Sequence, residues 1–220
     1  MRPSGAAIER SALIVVDMQN DFVSEGGYFD RMAKRYPELG IDREFLASTI
    51  PTIKKLVNAF RTAGRAVVYI KHVLEADYLD ACFPYWKMPE DPDPIESQFI
   101  VEGTWGAAIV DELTPAPGEK VVAKKGFNGF HRTPLESILR NLGVTTCVMT
   151  GVTTCVCVSS TTRAGVERNF RMIFVSDSTA EIHRDWHEGE LATMNWVYAE
   201  VKTTDEVLAM LDPLQPEGGA

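Results

Sequence analysis

The sequence predicts an α/β fold: a doubly wound, Rossmann-like parallel sheet of about six strands with helices on both faces. Two observations carry that prediction. Short apolar runs alternate with segments of helical spacing along most of the chain. The runs are also nearly continuous in apolar residues, as strands buried on both faces are. A length of 220 residues with 45% hydrophobic content suits one domain, 1–220, around a single large core.

The elements follow in order. Ser11-Ala12-Leu13-Ile14-Val15-Val16 reads as the first, fully buried strand. A helix is expected over 50–63, where Ile50, Ile53, Leu56, Val57 and Phe60 recur at helical spacing and Gly64 supplies the stop. The second strand is 66–70, and a short third, 119–123, follows the turn Pro115-Ala116-Pro117-Gly118. Thr133 and Pro134 open a helix through Asn141 as N-cap and first helical residue, and Gly143 closes it. The fourth strand is 144–150, a helix-competent segment spans 158–169, and the fifth strand is 172–175. A helix over 186–197, an edge strand over 199–201 and a last helix over 204–211, capped by Thr204, complete the scaffold. The tail, 212–220, is expected to be disordered.

Two connections, 23–45 and 74–103, are longer than the scaffold needs. The second carries Tyr78, Phe83, Tyr85, Trp86 and Phe99, with Trp105 just beyond it. Connections of that length form lids, binding surfaces or interfaces.

The bulk numbers exclude several classes. A net charge of −9 with scattered Lys and Arg leaves no basic face for nucleic acid. The longest apolar run near the N-terminus, 12–16, is strand-sized, so neither a signal peptide nor a membrane span is expected. Cys82, Cys147, Cys155 and Cys157 lack the spacing of a secreted disulfide scaffold, and reduced thiols in a cytoplasm are expected.

Three strands end in ionisable groups. The first ends at Asp17, the third at Lys124 and Lys125, and the fourth leads to Cys155 and Cys157. On a parallel sheet these ends converge on one crevice. A cysteine at the start of a helix is favoured as thiolate by unpaired N–H groups and the macrodipole. A carboxylate, an ammonium and a thiol together suit amide hydrolysis, with backbone N–H groups beside the thiol to bind the oxyanion. Each residue also has an ordinary role: a strand-end Asp caps turns, a strand-end Lys is solvated, and a buried Cys, as expected for Cys147, is inert filler. Co-occurrence at three strand ends favours a site. The residues alone leave Asp21 open beside Asp17, Lys125 beside Lys124, and Cys155 beside Cys157.

The run Leu13-Ile14-Val15-Val16-Asp17-Met18-Gln19-Asn20-Asp21-Phe22 resembles the opening motif of the isochorismatase-like cysteine hydrolases. Lys124-Lys125-Gly126-Phe127-Asn128-Gly129-Phe130 is similar to their lysine motif, and Gly151-Val152-Thr153-Thr154-Cys155-Val156-Cys157-Val158 to their nucleophile motif. The resemblance implies the triad Asp17, Lys124 and Cys157. The family nucleophile lies six residues after the strand-terminating glycine, which selects Cys157 and leaves Cys155 where an asparagine is usual. The family lysine precedes an aromatic by three residues and a phenylalanine by six, which Phe127 and Phe130 satisfy for Lys124. Family members also have a cis peptide just before the residue matching Thr153. The backbone N–H groups of Thr153 and Cys157 are thereby implied as oxyanion donors.

Members that cleave the vinyl ether of isochorismate lack the cysteine, so its presence implies amide or ureide hydrolysis. Nicotinamidases of the family carry a metal bound by an aspartate and closely spaced histidines after the second strand. Here that region holds His72 alone, so no metal and no other cofactor are expected, and His131, His183 and His187 are read as surface or supporting residues. The segments around Phe127 to Leu139 and Gly103 to Leu113 most resemble ureidoacrylate amidohydrolases and biuret or triuret hydrolases. That resemblance implies ammonia release from a small amide or ureide through a thioester. Gln19, Asn20, Gln98 and Asn128 are the candidate polar contacts, and Phe22, Trp105 and Phe127 the candidate walls; for Phe22 and Phe127 core packing is an equal alternative. The alternatives are a nicotinamidase or N-carbamoyl amino acid amidohydrolase, and a non-catalytic binding or assembly module. A homo-oligomer, dimer or tetramer, is implied by the resemblance.

Overall fold

The computed structural model describes residues 8–82 and 98–211. Six strands form one parallel sheet: β1 (Ser11–Val16), β2 (Ala66–His72), β3 (Lys120–Lys124), β4 (Thr146–Val152), β5 (Arg171–Ala180) and β6 (Glu200–Lys202), in the order β3-β2-β1-β4-β5-β6. The strand order reverses between β1 and β4, which opens a crevice at their carboxyl ends. Register decides what faces it: Val16 pairs with Gly151, and His72 with Lys124.

Helices cover both faces, as the apolar runs require. Leu13 and Val15 of β1 point to one side, against Ile53, Leu56 and Phe60 of α4 (Thr49–Thr62) and Val207 of α8 (Thr204–Leu211). Ala12, Ile14 and Val16 point to the other, against Leu135 and Leu139 of α5 (Leu135–Asn141) and Ala164 of α6 (Ser159–Glu167). This alternation is the strand period of two, and each fully buried Leu, Ile or Phe side chain contributes about 1.5–3 kcal/mol. One close approach demands glycine: Gly151 has φ +107°, and a Cβ there would lie 2.0 Å from the Val16 carbonyl oxygen. Among the described residues, no helix is long and apolar enough to cross a membrane.

Several expectations need correction. The connection 23–45 is largely helical: α1 (Asn20–Val23) leads into α2 (Tyr28–Arg35), a 3₁₀ turn (Pro37–Leu39) and α3 (Arg43–Ala47). α1 and α3 are too short for hydrophobic periodicity to announce them, whereas α2 is amphipathic and sets Tyr28, Phe29 and Met32 against the core. β5 is ten residues long rather than four. Its second half, Ser176-Asp177-Ser178-Thr179, is polar, and its hydroxyls are satisfied inside: Ser178 Oγ meets Thr204 Oγ1 at 2.9 Å, and Thr179 Oγ1 donates to the Val175 carbonyl at 3.0 Å. α5 begins at Leu135, one residue later than expected, with the Leu135 N–H donating to Thr133 Oγ1 at 3.3 Å. The helix expected over 186–197 is α7 (Arg184–Thr193) followed by a wide turn, Met194–Tyr198. Phe83, Tyr85, Trp86 and the tail 212–220 lie outside the described residues.

Candidate active site

The ends of β1, β3 and β4 bring three polar side chains together. Lys124 Nζ lies 2.8 Å from Asp17 Oδ2 and 3.3 Å from Cys157 Sγ, and donates to the Gly126 carbonyl at 2.9 Å. Lys124 is the last residue of β3. Asp17 follows β1 directly and turns the chain with φ +51°, its N–H donating to the Ile70 carbonyl at 2.9 Å. The Lys124 and Asp17 side chains are fully buried and Cys157 is 4% exposed. Lys125 points elsewhere and pairs with Asp80 at 2.6 Å.

The turn that carries Cys157 is held from three sides. Residues Thr154–Val158 form a wide, π-type turn before α6, so Cys157 precedes the regular helix by two residues. Thr161 Oγ1 donates to the Cys157 carbonyl at 2.7 Å and accepts the Gly129 N–H at 2.9 Å, which ties the Cys157 turn to the loop after Lys124. Glu181 Oε2 accepts the Cys155 N–H at 2.8 Å, and Thr154 Oγ1 bonds His187 Nδ1 at 2.8 Å. The Val152–Thr153 peptide is cis, as the resemblance implies. Thr153 itself is buried at the mouth of this turn.

Electrostatics overturn one expectation. Burial pushes the Cys157 thiol up, the Asp17 carboxylate adds to that, and Lys124 offsets only part of it. Desolvation thus works against the thiolate that the helix start is expected to favour. Burial also raises the Asp17 carboxyl above the usual carboxylate range, with Lys124 pulling the other way. Burial works against the Lys124 ammonium, yet Asp17 and Cys157 beside it hold its pKa above the ordinary lysine value. The arrangement is a thiol, a carboxylate of raised basicity and a fixed ammonium in one buried cluster. It can move the thiol proton to the carboxylate and leave the thiolate against the ammonium.

The other cysteines and the remaining candidates sort themselves by contact. Burial pushes the Cys147 thiol up to about 12, in keeping with filler. Burial and Glu181 push the half-buried Cys155 thiol to about 12, and its Sγ rests 3.4 Å from the Trp186 carbonyl. Gln19 is fully buried and spends its amide on backbone: Nε2 donates to the His72 and Ala107 carbonyls at 2.9 Å each, and Oε1 accepts the His72 N–H at 2.8 Å. Asn20 Nδ2 donates to the Trp105 carbonyl at 2.8 Å, and its Oδ1 accepts from Ser24 Oγ. These two amides shape the pocket's frame. Phe22 packs in an aromatic cluster, 5.4 Å from both Phe29 and Phe99, so its contact is core packing. Trp105 is 57% exposed, and Gln98 is exposed with no described contact to the triad. Phe127 stands edge-on to His72 with centroids 6.3 Å apart, and Asn128 Oδ1 accepts the Phe130 N–H at 2.8 Å. Both line a cleft of about 370 Å³ with Cys82, Gly126, His131 and Ser160, next to the carbonyl that anchors Lys124. A depression of about 420 Å³ lined by Glu9, Arg10, Arg65 and Val144 lies at the amino ends of the strands, the wrong end for this chemistry.

Three residues carry more than their sequence context announces. A ring nitrogen of His72 lies within 4.8 Å of both an Asp17 oxygen and Cys157 Sγ. Burial and Lys124 push its pKa down to about 2, so the imidazole is neutral. Its place at the end of a buried strand was the available signal. Asp21 turns its carboxylate to the backbone: its Oδ1 and Oδ2 accept the N–H groups of Tyr28 (3.1 Å) and Ile100 (2.7 Å). A Cβ on Gly106 would fall 2.3 Å from that carboxylate, so the loop closes on it only with glycine. His187, expected at the surface or in support, is buried and braces Thr154.

Comparisons with known proteins bear on the family and the fold. The family model described as the Isochorismatase domain matches residues 11–206. The ureidoacrylate amidohydrolase RutB of Methylorubrum extorquens is 38% identical over 190 residues, covering 81% of this chain and 73% of that protein. RutB of Rhizobium rhizogenes is 32% identical over 228 aligned positions, covering 98% and 89%. Among solved structures, a cysteine hydrolase from Pseudomonas syringae pv. phaseolicola superposes with a TM-score of 0.79 at 27% identity, covering 96% of each chain. N-carbamoylsarcosine amidase from Thermoplasma acidophilum superposes at 0.68 and 29% identity, covering 89% of this chain and 97% of its own. By its matched length, its relatives and its fold, this chain belongs to the isochorismatase family.

Proposed function

We propose that this protein is a cysteine amidohydrolase that releases ammonia from a small amide or ureide of the ureidoacrylate, biuret or triuret type. The observation that carries the reading is Lys124 Nζ at 2.8 Å from Asp17 and 3.3 Å from Cys157, all three buried. The names of the relatives, ureidoacrylate amidohydrolase and N-carbamoylsarcosine amidase, support a carbamoyl group as the part attacked.

In this mechanism the Cys157 proton moves to Asp17 as the sulfur attacks the carbonyl carbon. Lys124 balances the thiolate, and the N–H groups of Thr153 and Cys157 receive the oxyanion. Asp17 returns the proton to the departing nitrogen, which leaves as ammonia, and an S-acyl enzyme remains. Asp17 then takes a proton from water, the hydroxide opens the thioester, and the thiol is regenerated by the same proton. The positive charge at the reacting centre comes from Lys124, and no metal ligand set is invoked. Phe127 and Asn128 line the cleft beside Gly126, which this reading assigns to the substrate's approach. We also infer a cytoplasmic homo-oligomer; four free cysteines and the 83% exposed Trp196 suit that setting.

The test is an ammonia-release screen over ureidoacrylate, biuret, triuret, nicotinamide and N-carbamoyl amino acids, run on wild type, Cys157→Ala and Cys155→Ala. Turnover of a ureide by wild type and Cys155→Ala, with none by Cys157→Ala, is expected. A preference for nicotinamide or N-carbamoyl amino acids would redirect the substrate class, and no turnover of any compound would favour a binding module.

A further inference from the structure

Three of the four polar side chains at the crevice are ligands that thiophilic divalent cations take: a carboxylate, an imidazole and a thiol. One donor atom each from Asp17, His72 and Cys157 all lie within 4.8 Å of one another, and all three residues are buried. A zinc ion holding oxygen, nitrogen and sulfur at about 2.0–2.3 Å sets its donors roughly 3.3–3.8 Å apart. The set must contract by about 1 Å to reach that size. His72 is already fixed for the purpose, its backbone N–H and carbonyl both held by the Gln19 amide.

The fourth side chain stands in the way. Lys124 Nζ rests 2.8 Å from the Asp17 carboxylate and 3.3 Å from Cys157 Sγ, anchored by the Gly126 carbonyl. Its ammonium thus occupies the cation's place. A divalent ion among the same donors would face that charge across a few ångströms of dry protein, where repulsion is weakly screened. Taking the ammonium away reverses the balance. Without the ammonium, burial drives the Asp17 carboxyl further toward its protonated form, and a bound cation takes the ammonium's place by displacing that proton to buffer.

We propose that Asp17, His72 and Cys157 form a latent site for one thiophilic divalent cation, of the zinc or cadmium class, which the Lys124 ammonium keeps closed. On binding, the Cys157 thiol gives its proton to buffer, and sulfur, imidazole nitrogen and carboxylate oxygen each donate a lone pair to the ion. The two negative ligands balance its charge, with water free to complete the fourth position. Lys124 therefore has two roles: it pairs with the reacting groups, and it guards them from metals that would block the sulfur.

The experiment reads metal, not turnover. Wild type, Lys124→Met, Lys124→Gln and Lys124→Met/His72→Ala are loaded with one equivalent of zinc, dialysed against zinc-free buffer and assayed for bound zinc and Tm. Both single variants are expected to retain about one zinc per chain and to gain roughly 5–10 °C in Tm when zinc is in large excess over its Kd. Wild type and the double variant are expected to lose the metal in dialysis. Cobalt in place of zinc should give sulfur-to-cobalt charge-transfer absorption in Lys124→Met, abolished by prior alkylation of Cys157. If a Lys124 variant folds poorly alone, its soluble yield is compared with and without zinc; zinc-dependent recovery supports the site, and indifference to zinc overturns it. Stoichiometric zinc retained by wild type, or by the double variant, also overturns it.

Discussion

Replacing Asp17 with Asn separates two effects that the triad geometry combines. The carboxylate is the proton acceptor of the proposed mechanism, so turnover should fall by about 10²–10⁴-fold. The same carboxylate also raises the Cys157 pKa, because it faces the thiolate across a buried pocket. At 4.8 Å, the outer limit of their separation, and an effective dielectric of about 20, removing that charge is worth about 3.5 kcal/mol. This corresponds to a thiol pKa lower by about 2.5 units. Nucleophilicity falls as the thiol becomes more acidic, with a slope of about 0.4–0.5, so the net gain in rate toward a small disulfide is about 20–30-fold. Lys124 at 3.3 Å supplies the counter-charge that holds the new thiolate. The assay is thiopyridone release from dithiodipyridine at pH 7, on wild type, Asp17→Asn and Asp17→Asn/Cys157→Ala, the last giving the background of the other thiols. The expected result is a dead enzyme with a faster thiol. A variant whose Cys157 reacts no faster than wild type, or which keeps its turnover, would refute the electrostatic account.

Three further outcomes follow from other contacts. Gln19→Ala removes three buried hydrogen bonds, to the His72 N–H, the His72 carbonyl and the Ala107 carbonyl; thermal unfolding should show a loss of about 2–4 kcal/mol, or roughly 5–15 °C in Tm. Gly151→Ala forces a Cβ to within 2.0 Å of the Val16 carbonyl between the two central strands, and circular dichroism of the soluble fraction should find little folded protein, a cost above about 4 kcal/mol. The Asp17 pKa is raised in the folded protein, and the carboxylate form is the active one, so kcat/KM should fall as pH drops through that raised value. An acid limb at or below the ordinary aspartate value of about 3.9 would contradict the role given to Asp17.

Much of the fold was legible because parallel strands write themselves as unbroken apolar runs. Leu13 to Val16 sit inside the sheet as read, and Asp17 and Lys124 lie at the strand ends that the pattern picks out. The choice of Cys157 over Cys155 needed the spacing of a known motif, since both thiols share one turn. Contacts across the sheet were not legible. Nothing in the local sequence of Gln19 or Asn20 says that their amides hold the backbones of His72, Ala107 and Trp105. The thiolate expectation failed for a related reason: a helix end is a local feature, whereas burial of Cys157 comes from the way β1, β3 and β4 close over it. His72 was set aside as a solitary histidine because its partners, Asp17 and Cys157, are 55 and 85 residues away in the chain.

The central claim is that Cys157 carries the acyl group during turnover. Rapid acid quench of wild type mixed with a substrate found by the ammonia screen, followed by peptide mapping by mass spectrometry, tests it directly. The account predicts a transient acyl adduct on the peptide containing Cys157, located on that sulfur, absent from Cys157→Ala and unchanged in Cys155→Ala. An adduct on Cys155, or full turnover by Cys157→Ala, would contradict it.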